Sequence, residues 1–181
     1  MFAITERLLL RPGWAEDAPA LSRAIGDEAV VRNLARVPWP YSLGDAESFL
    51  ALPQLAHRPR FLIFLRDTAE LVGGIGLNGQ SAAEAELGYW IVRHHWGKGI
   101  ATEAGQAVVD LADASLRLPR LIASHAVDNP ASGSVLGKIG FRPTGAYGDL
   151  PSLGRGCILR TRLFARERVA APAAEGEPLA A

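Results

Sequence analysis

The 181-residue chain has one cysteine, Cys157, and no apolar stretch approaching the ~18 residues that a bilayer-spanning helix needs. A lone cysteine excludes an intramolecular disulfide and any multi-thiolate metal centre. Charge of one sign is not in excess either. Nineteen Lys+Arg offset nineteen Asp+Glu, which argues against a dedicated nucleic-acid binder. The opening Met-Phe-Ala-Ile-Thr-Glu-Arg has no basic n-region followed by an apolar h-region, so no secretory signal is expected and a cytoplasmic location is. Internal repeats and an interior Pro/Gly linker are also missing. What is present, 49% apolar and 21% charged residues, suits one globular domain over residues 1–168 with a buried core. The last stretch, residues 169–181 ending AAPAAEGEPLAA, has no apolar period and is expected to be a disordered tail.

Periodicity and punctuation outline the elements. Glu6 to Arg11 reads as a strand stopped by Pro12-Gly13. Asp17 can cap a helix carrying Leu21, Ala24 and Ile25, which resumes after Gly26 with Val30, Val31 and Leu34. Two prolines keep residues 37–42 out of helix. A second helix is expected near 42–52. Three strands follow, at 61–65, 71–77 and 84–92. A helix from about Gly99 to Leu116 places Ile100, Ala104, Ala107, Val108 and Leu111 on one face. Strand 120–127, helix 132–139, a strand from Phe141 and a last strand, 157–164, complete a mixed α+β chain.

The segment Trp96-Gly-Lys-Gly-Ile-Ala-Thr102 joins a strand to that central helix. Small residues let the backbone approach a ligand, and the first helical N–H groups, with the helix dipole, suit an anion such as a pyrophosphate. A phosphate-binding P-loop is excluded, because Gly99 follows Lys98 and position 92 is Val. A dinucleotide fingerprint fits Gly97 and Gly99 but meets Thr102 at its third position. With Asp128 as a ribose-binding acid, it leaves an oxidoreductase as an alternative.

Tyr89-Trp-Ile-Val-Arg-His-His-Trp-Gly-Lys-Gly-Ile-Ala-Thr-Glu-Ala104 resembles the acyl-CoA-binding signature of the GNAT N-acetyltransferases, in the branch that includes the ribosomal-protein N-terminal acetyltransferases. A second segment, Asp128 to Phe141, resembles the other CoA-side motif of that branch. Thr5 to Arg11 and Pro38-Trp-Pro-Tyr41 are similar to it as well, so the resemblance spans roughly residues 5–165. Trp96 stands where Gln or Arg is common, and Ser134 where Arg is frequent.

The resemblance implies a GNAT-like fold: a mostly antiparallel sheet, helices on both faces, and a V-shaped opening between strands 84–92 and 120–127. It implies that acetyl-CoA is the cosubstrate. The N–H groups of Gly97, Lys98, Gly99, Ile100, Ala101 and Thr102 would hold the pyrophosphate. Ile91 would bond the pantetheine arm and acyl carbonyl, Asn129 would bond a pantetheine amide, and Ser132 would sit near the sulfur. Asn129 also reads as a plain helix cap. The acceptor would be a primary amine, either a protein N-terminus or a small molecule such as a polyamine or antibiotic. A homodimer and a non-catalytic CoA sensor remain compatible with the resemblance.

Deprotonating the amine calls for a base. Glu86, on the strand leading to the loop, is the first candidate, and Glu84, on the same face, is the reserve. A solvated or ion-paired surface carboxylate is the plainer reading of both. Tyr147 is a weaker candidate than Ser132 for protonating the thiolate. His94 and His95 are adjacent, their side chains are expected to diverge, and no metal site is expected. His125 is read as packed or ligand-lining, and Cys157 as a buried inert thiol. Arg160, Arg162, Arg166 and Arg168 are expected to be solvated. Trp39 and Tyr41 would either wall the acceptor side or pack on the core.

Overall fold

The computed structural model describes residues 1–79 and 83–168. The expected tail, residues 169–181, lies outside them. In chain order the elements are strands β1 (Ala3–Ile4) and β2 (Leu8–Arg11), helices α1 (Ala18–Ile25), α2 (Glu28–Val31) and α3 (Leu43–Ala51), and strands β3 (Arg60–Leu65), β4 (Leu71–Asn78) and β5 (Glu84–Ile91). Helix α4 (Ile100–Leu111), strand β6 (Arg120–Ala126), helix α5 (Pro130–Lys138) and strands β7 (Arg142–Ser152) and β8 (Cys157–Glu167) follow. The strands form one sheet in the order β1-β2-β3-β4-β5-β6-β8-β7. Every neighbouring pair is antiparallel except β5 with β6.

Both faces are covered. Leu87 and Ile91 of β5 pack with Ile100, Ala104 and Val108 of α4. On the opposite face Leu62 and Phe64 of β3 pack with Ala18 and Leu21 of α1 and Ala46 of α3. Trp90 joins that second layer, and Gly74 makes room for it: a Cβ there would lie 2.6 Å from the indole nitrogen. None of the described helices is long and apolar enough to cross a membrane.

Several boundaries differ from the sequence reading. Strand β2 begins at Leu8, because Thr5 N–H turns back to the Leu8 carbonyl, and β1, only two residues long, was not expected. Helix α5 begins at Pro130, whose fixed φ and missing N–H suit a first helical position, and Asn129 caps it. Helix α4 stops at Leu111 and passes into a π turn, Ala112–Leu116. Strand β7 tolerates Pro143 and Pro151 because it lies at the sheet edge.

Two expectations about side chains of β8 fail. Cys157 is exposed. Arg166 is nearly buried and grips Asp113 with two bonds of 2.6 and 2.9 Å, pinning β8 to the π turn.

Candidate active site

The single parallel joint opens the sheet. Strands β5 and β6 share only three residue pairs: Glu84 with Arg120, Ala85 with Leu121 and Glu86 with Ile122. Beyond them β5 stays with β4 and β6 stays with β8, leaving the V-shaped split that the resemblance implies. Val92 N–H donates to the Val72 carbonyl of β4. By alternation, the main-chain groups of Ile91 face away from β4, into the split. The Ile91 carbonyl is already taken there by the Trp96 indole N–H at 2.7 Å, which gives Trp96 a structural task at the position where Gln or Arg is common. The Ile91 N–H remains directed into the split.

At the mouth of the split, Gly97 and Gly99 have φ of +74° and +79°, left-handed values that glycine adopts without strain. Gly97, Lys98 and Gly99 are exposed, while Ile100 is buried and anchors the helix start in the core. Glu103 N–H makes the first α4 bond, to the Gly99 carbonyl at 3.0 Å, so the amides of Ile100, Ala101 and Thr102 precede any helical acceptor. This set of donors fits an anion.

The loop is latched from outside by residues the sequence did not single out. Arg7 donates to the Lys98 carbonyl at 3.0 Å and pairs with Glu103 at 2.7 Å, and Thr5 hydroxyl also donates to Glu103 at 2.5 Å. Burial raises the Glu103 pKa, but these bonds and the Arg7 charge outweigh it and hold the carboxyl below its usual range. Glu103 thus stays ionised yet neutralised beside the helix start. A groove of about 750 Å³ runs from Gly99 and Thr102 along α4 to Asp110 and Lys138.

Ser132, half-buried near the start of α5, reaches across the split to Tyr89 of β5. The two hydroxyls lie 2.8 Å apart, and Tyr89 hydroxyl is also 3.1 Å from the Ser132 carbonyl. Burial pushes the Tyr89 pKa up to about 12 despite the opposing Ser132 bond, so the phenol stays protonated at neutral pH. Tyr89 sat inside the quoted signature, but its partner is 43 positions away. Asn129 accepts a 3.4 Å bond from Ser132 N–H and so serves as the cap that was one of its two readings. Tyr147 lies on β7, with β8 and β6 between it and the split, and is 53% exposed. The structure does not bring it to Ser132.

Glu86 is the last β5 residue paired with β6 and sits at the apex of the split. Alternation places it on the Trp90 side, opposite Tyr89. Its nearest cation is Arg36, 3.5 Å away. Glu84 is drawn into an ion pair with Arg120 at 3.2 Å, the plainer of its two readings. Above this face the β7–β8 turn clamps the segment after α2. Ser152 hydroxyl donates to the Leu34 carbonyl, and Leu153 N–H donates to Ala35. Arg155 binds Asp128 through bonds of 2.7 and 3.0 Å. Hydrogen bonding from Arg155, ahead of the opposing effect of burial, holds the Asp128 carboxyl below its usual range. Tyr41 packs on the core and Trp39 is exposed, so only Trp39 keeps the surface position of an acceptor-side wall. His125 is buried against Phe164 and Gly133, a packed residue.

His94 and His95 do not diverge. Their rings lie 4.3 Å apart and both Nε2 atoms meet one oxygen of Glu70.

A mostly antiparallel sheet split beside one parallel joint, with a glycine-flanked helix start at the split, is the frame of an acyltransferase. The chain belongs to the GNAT family: residues 7–142 match the model described as an acetyltransferase (GNAT) domain. It is 36% identical over 154 residues to the uncharacterized N-acetyltransferase YoaA of Bacillus subtilis, covering 80% of this chain and 86% of that one. It is 37% identical over 92 residues, half of each chain, to the ribosomal-protein-serine acetyltransferase of Escherichia coli. The crystal structure of a GNAT-family acetyltransferase from Bacillus anthracis superposes with a TM-score of 0.79 at 25% identity, over 92% of this chain and 98% of that one. The chain is therefore an acetyl-CoA-dependent N-acetyltransferase, and the oxidoreductase alternative is set aside.

Proposed function

We propose that the protein moves an acetyl group from acetyl-CoA to a protein N-terminal amine, by direct attack within a ternary complex. The observation that carries this reading is the pairing of free amides at the start of α4 with the split between β5 and β6. Main-chain N–H groups of residues 97–102 would cradle the diphosphate, with Ile91 N–H and Asn129 along the pantetheine arm. Donors of this kind, aimed at a developing oxyanion, supply several kcal/mol with no catalytic side chain.

Glu86 and Ser132 divide the proton work from opposite faces. Glu86, through water, accepts the amine proton as the C–N bond forms. The C–S bond then breaks, and the Ser132 hydroxyl gives its proton to the departing thiolate while Tyr89 donates in turn to Ser132. A protein N-terminus needs little help from a base. Its pKa is near 8 against about 10.4 for lysine, a difference of roughly 3 kcal/mol in deprotonation. The relative named as a ribosomal-protein-serine acetyltransferase supports a protein acceptor.

At a hundred times its Kd, acetyl-CoA should raise the melting temperature by roughly 5–11 °C, and NAD should leave it unchanged. Thiol release should then require N-terminal peptides. Release with polyamines or aminoglycosides in place of peptides would overturn the acceptor. A thermal shift with no turnover on any amine would make the chain a CoA sensor.

A further inference from the structure

The side chains of Glu70, His94 and His95 converge on one point, away from the acyl-transfer split. Glu70 lies in the hairpin between β3 and β4, and His94 and His95 form the 3-10 turn that follows β5. Glu70 Oε1 is 2.9 Å from His94 Nε2 and 3.2 Å from His95 Nε2, and the three atoms all lie within 4.8 Å of one another. Residues this close in sequence normally point apart. Here, from a tight turn closed by His95 N–H to the Val92 carbonyl and Trp96 N–H to the Arg93 carbonyl, both imidazoles nonetheless reach one oxygen of Glu70.

We propose that Glu70, His94 and His95 form a binding site for a divalent transition-metal cation of the zinc type. A tetrahedral ion with ligands at about 2.0–2.2 Å sets neighbouring ligand atoms roughly 3.3–3.5 Å apart, close to the two N···O separations seen. The remaining His–His edge closes by rotation of His94, whose side chain is 63% exposed, while the buried His95 stays in place. Each ring frees its Nε2 lone pair by carrying its proton on Nδ1. Two imidazoles and one carboxylate select zinc, cobalt or nickel over magnesium or calcium, which prefer all-oxygen sets. The fourth position opens to solvent and takes water.

The metal acts as a clasp. Glu70 is 24 and 25 positions from the two histidines, so one ion ties the β3–β4 hairpin to the turn that delivers Gly97 and Gly99 to the mouth of the split. No step of acyl transfer passes through it, and the site stands whether or not the acceptor is a protein.

The test uses the full chain with any affinity tag removed and dialysed against a chelator. Zinc ion alone is titrated calorimetrically and by melting temperature, and cobalt(II) is followed by its visible absorption. The chain contains only two other histidines, His57 and His125, so the background is small. One equivalent of zinc should bind, and cobalt should show the intense bands of a four-coordinate site. Glu70→Gln and His94→Ala should each weaken binding by more than roughly tenfold while melting normally in chelator, and His57→Gln should bind as the parent does. Binding that survives Glu70→Gln and His94→Ala, or that His57→Gln removes, overturns the site. An octahedral aqua-type cobalt spectrum with no zinc shift does so as well.

Discussion

Replacing Tyr89 with Phe removes one oxygen atom and tests whether the residue acts through Ser132. The phenol contacts Ser132 twice, at 2.8 Å to its hydroxyl and 3.1 Å to its carbonyl, from a partly buried position. Leaving a half-buried hydroxyl without its partner costs about 1–2 kcal/mol, which lowers the melting temperature by roughly 2–8 °C for a chain of this size. The same lost bond lets Ser132 rotate away from the sulfur. If about 1.4 kcal/mol of alignment is lost, kcat falls about tenfold with little change in KM. Ser132→Ala, which removes the proton donor itself, should cost about a hundredfold. Thiol release from acetyl-CoA with the best peptide acceptor reads all three variants, and the double variant decides the matter. Because Tyr89 is argued to work only through Ser132, Tyr89→Phe/Ser132→Ala should be no slower than Ser132→Ala alone. Losses that multiply to about a thousandfold would refute the relay and assign Tyr89 an independent role.

Glu86→Gln should lower turnover most below pH 8, where the amine most needs a proton acceptor; a profile parallel to that of the parent would remove Glu86 from the mechanism. Gly99→Ala places a side chain at φ +79°, with its Cβ only 3.5 Å from Arg7 Nη2, an ordinary contact. It should cost about 1–2 kcal/mol of strain and weaken acetyl-CoA binding, measured by calorimetry, more than it lowers the melting temperature in the free protein. Asp17 is nearly buried against Arg11, and that pairing, with the Trp14 backbone, holds its pKa down against the raising effect of burial. A lowered folded pKa gives stability that is present above the unfolded value, near 4, and lost as pH falls through the folded one. Asp17→Asn should therefore destabilise the protein at neutral pH, by about 1–2 kcal/mol for the weakened charge-assisted bonds, and flatten the acid limb of the denaturation profile; a limb as steep as the parent's would refute the assignment.

The parts of the site carried by consecutive residues were legible in the sequence, and the parts made by distant pairs were not. The glycines at 97 and 99 and the helix after them are local: their conformation follows from a strand, a small-residue turn and an apolar 3.6-residue period. Asn129 as a cap is local too. The Tyr89–Ser132 bridge joins residues 43 apart, and the Arg7–Glu103 latch joins residues 96 apart. Neither leaves a trace in spacing or period, because each depends on which strands become neighbours. The late arginines illustrate the same point. Alternation alone makes Arg166 a solvated strand residue, and only the π turn carrying Asp113 turns it into a nearly buried anchor. The paired histidines were misjudged for a related reason: consecutive side chains leave a 3-10 turn about 120° apart, and the two imidazoles meet only because both reach Glu70, which the β3–β4 hairpin brings in from 24 and 25 positions away.

One parallel contact in an otherwise antiparallel sheet obliges the chain to travel from one end of β5 back to the start of β6, and α4 makes that return journey. The helix must then begin where β5 ends, so its positive pole arrives at the gap through connectivity alone. On the proposed reading, the anchoring of the thioester carrier would in this sense be a property of the route the backbone takes. The rim built by the α2 segment and the β7–β8 turn answers to no such constraint, and on the proposed reading it would be the part of the molecule free to be recut for a new acceptor while the engine beneath it stays the same.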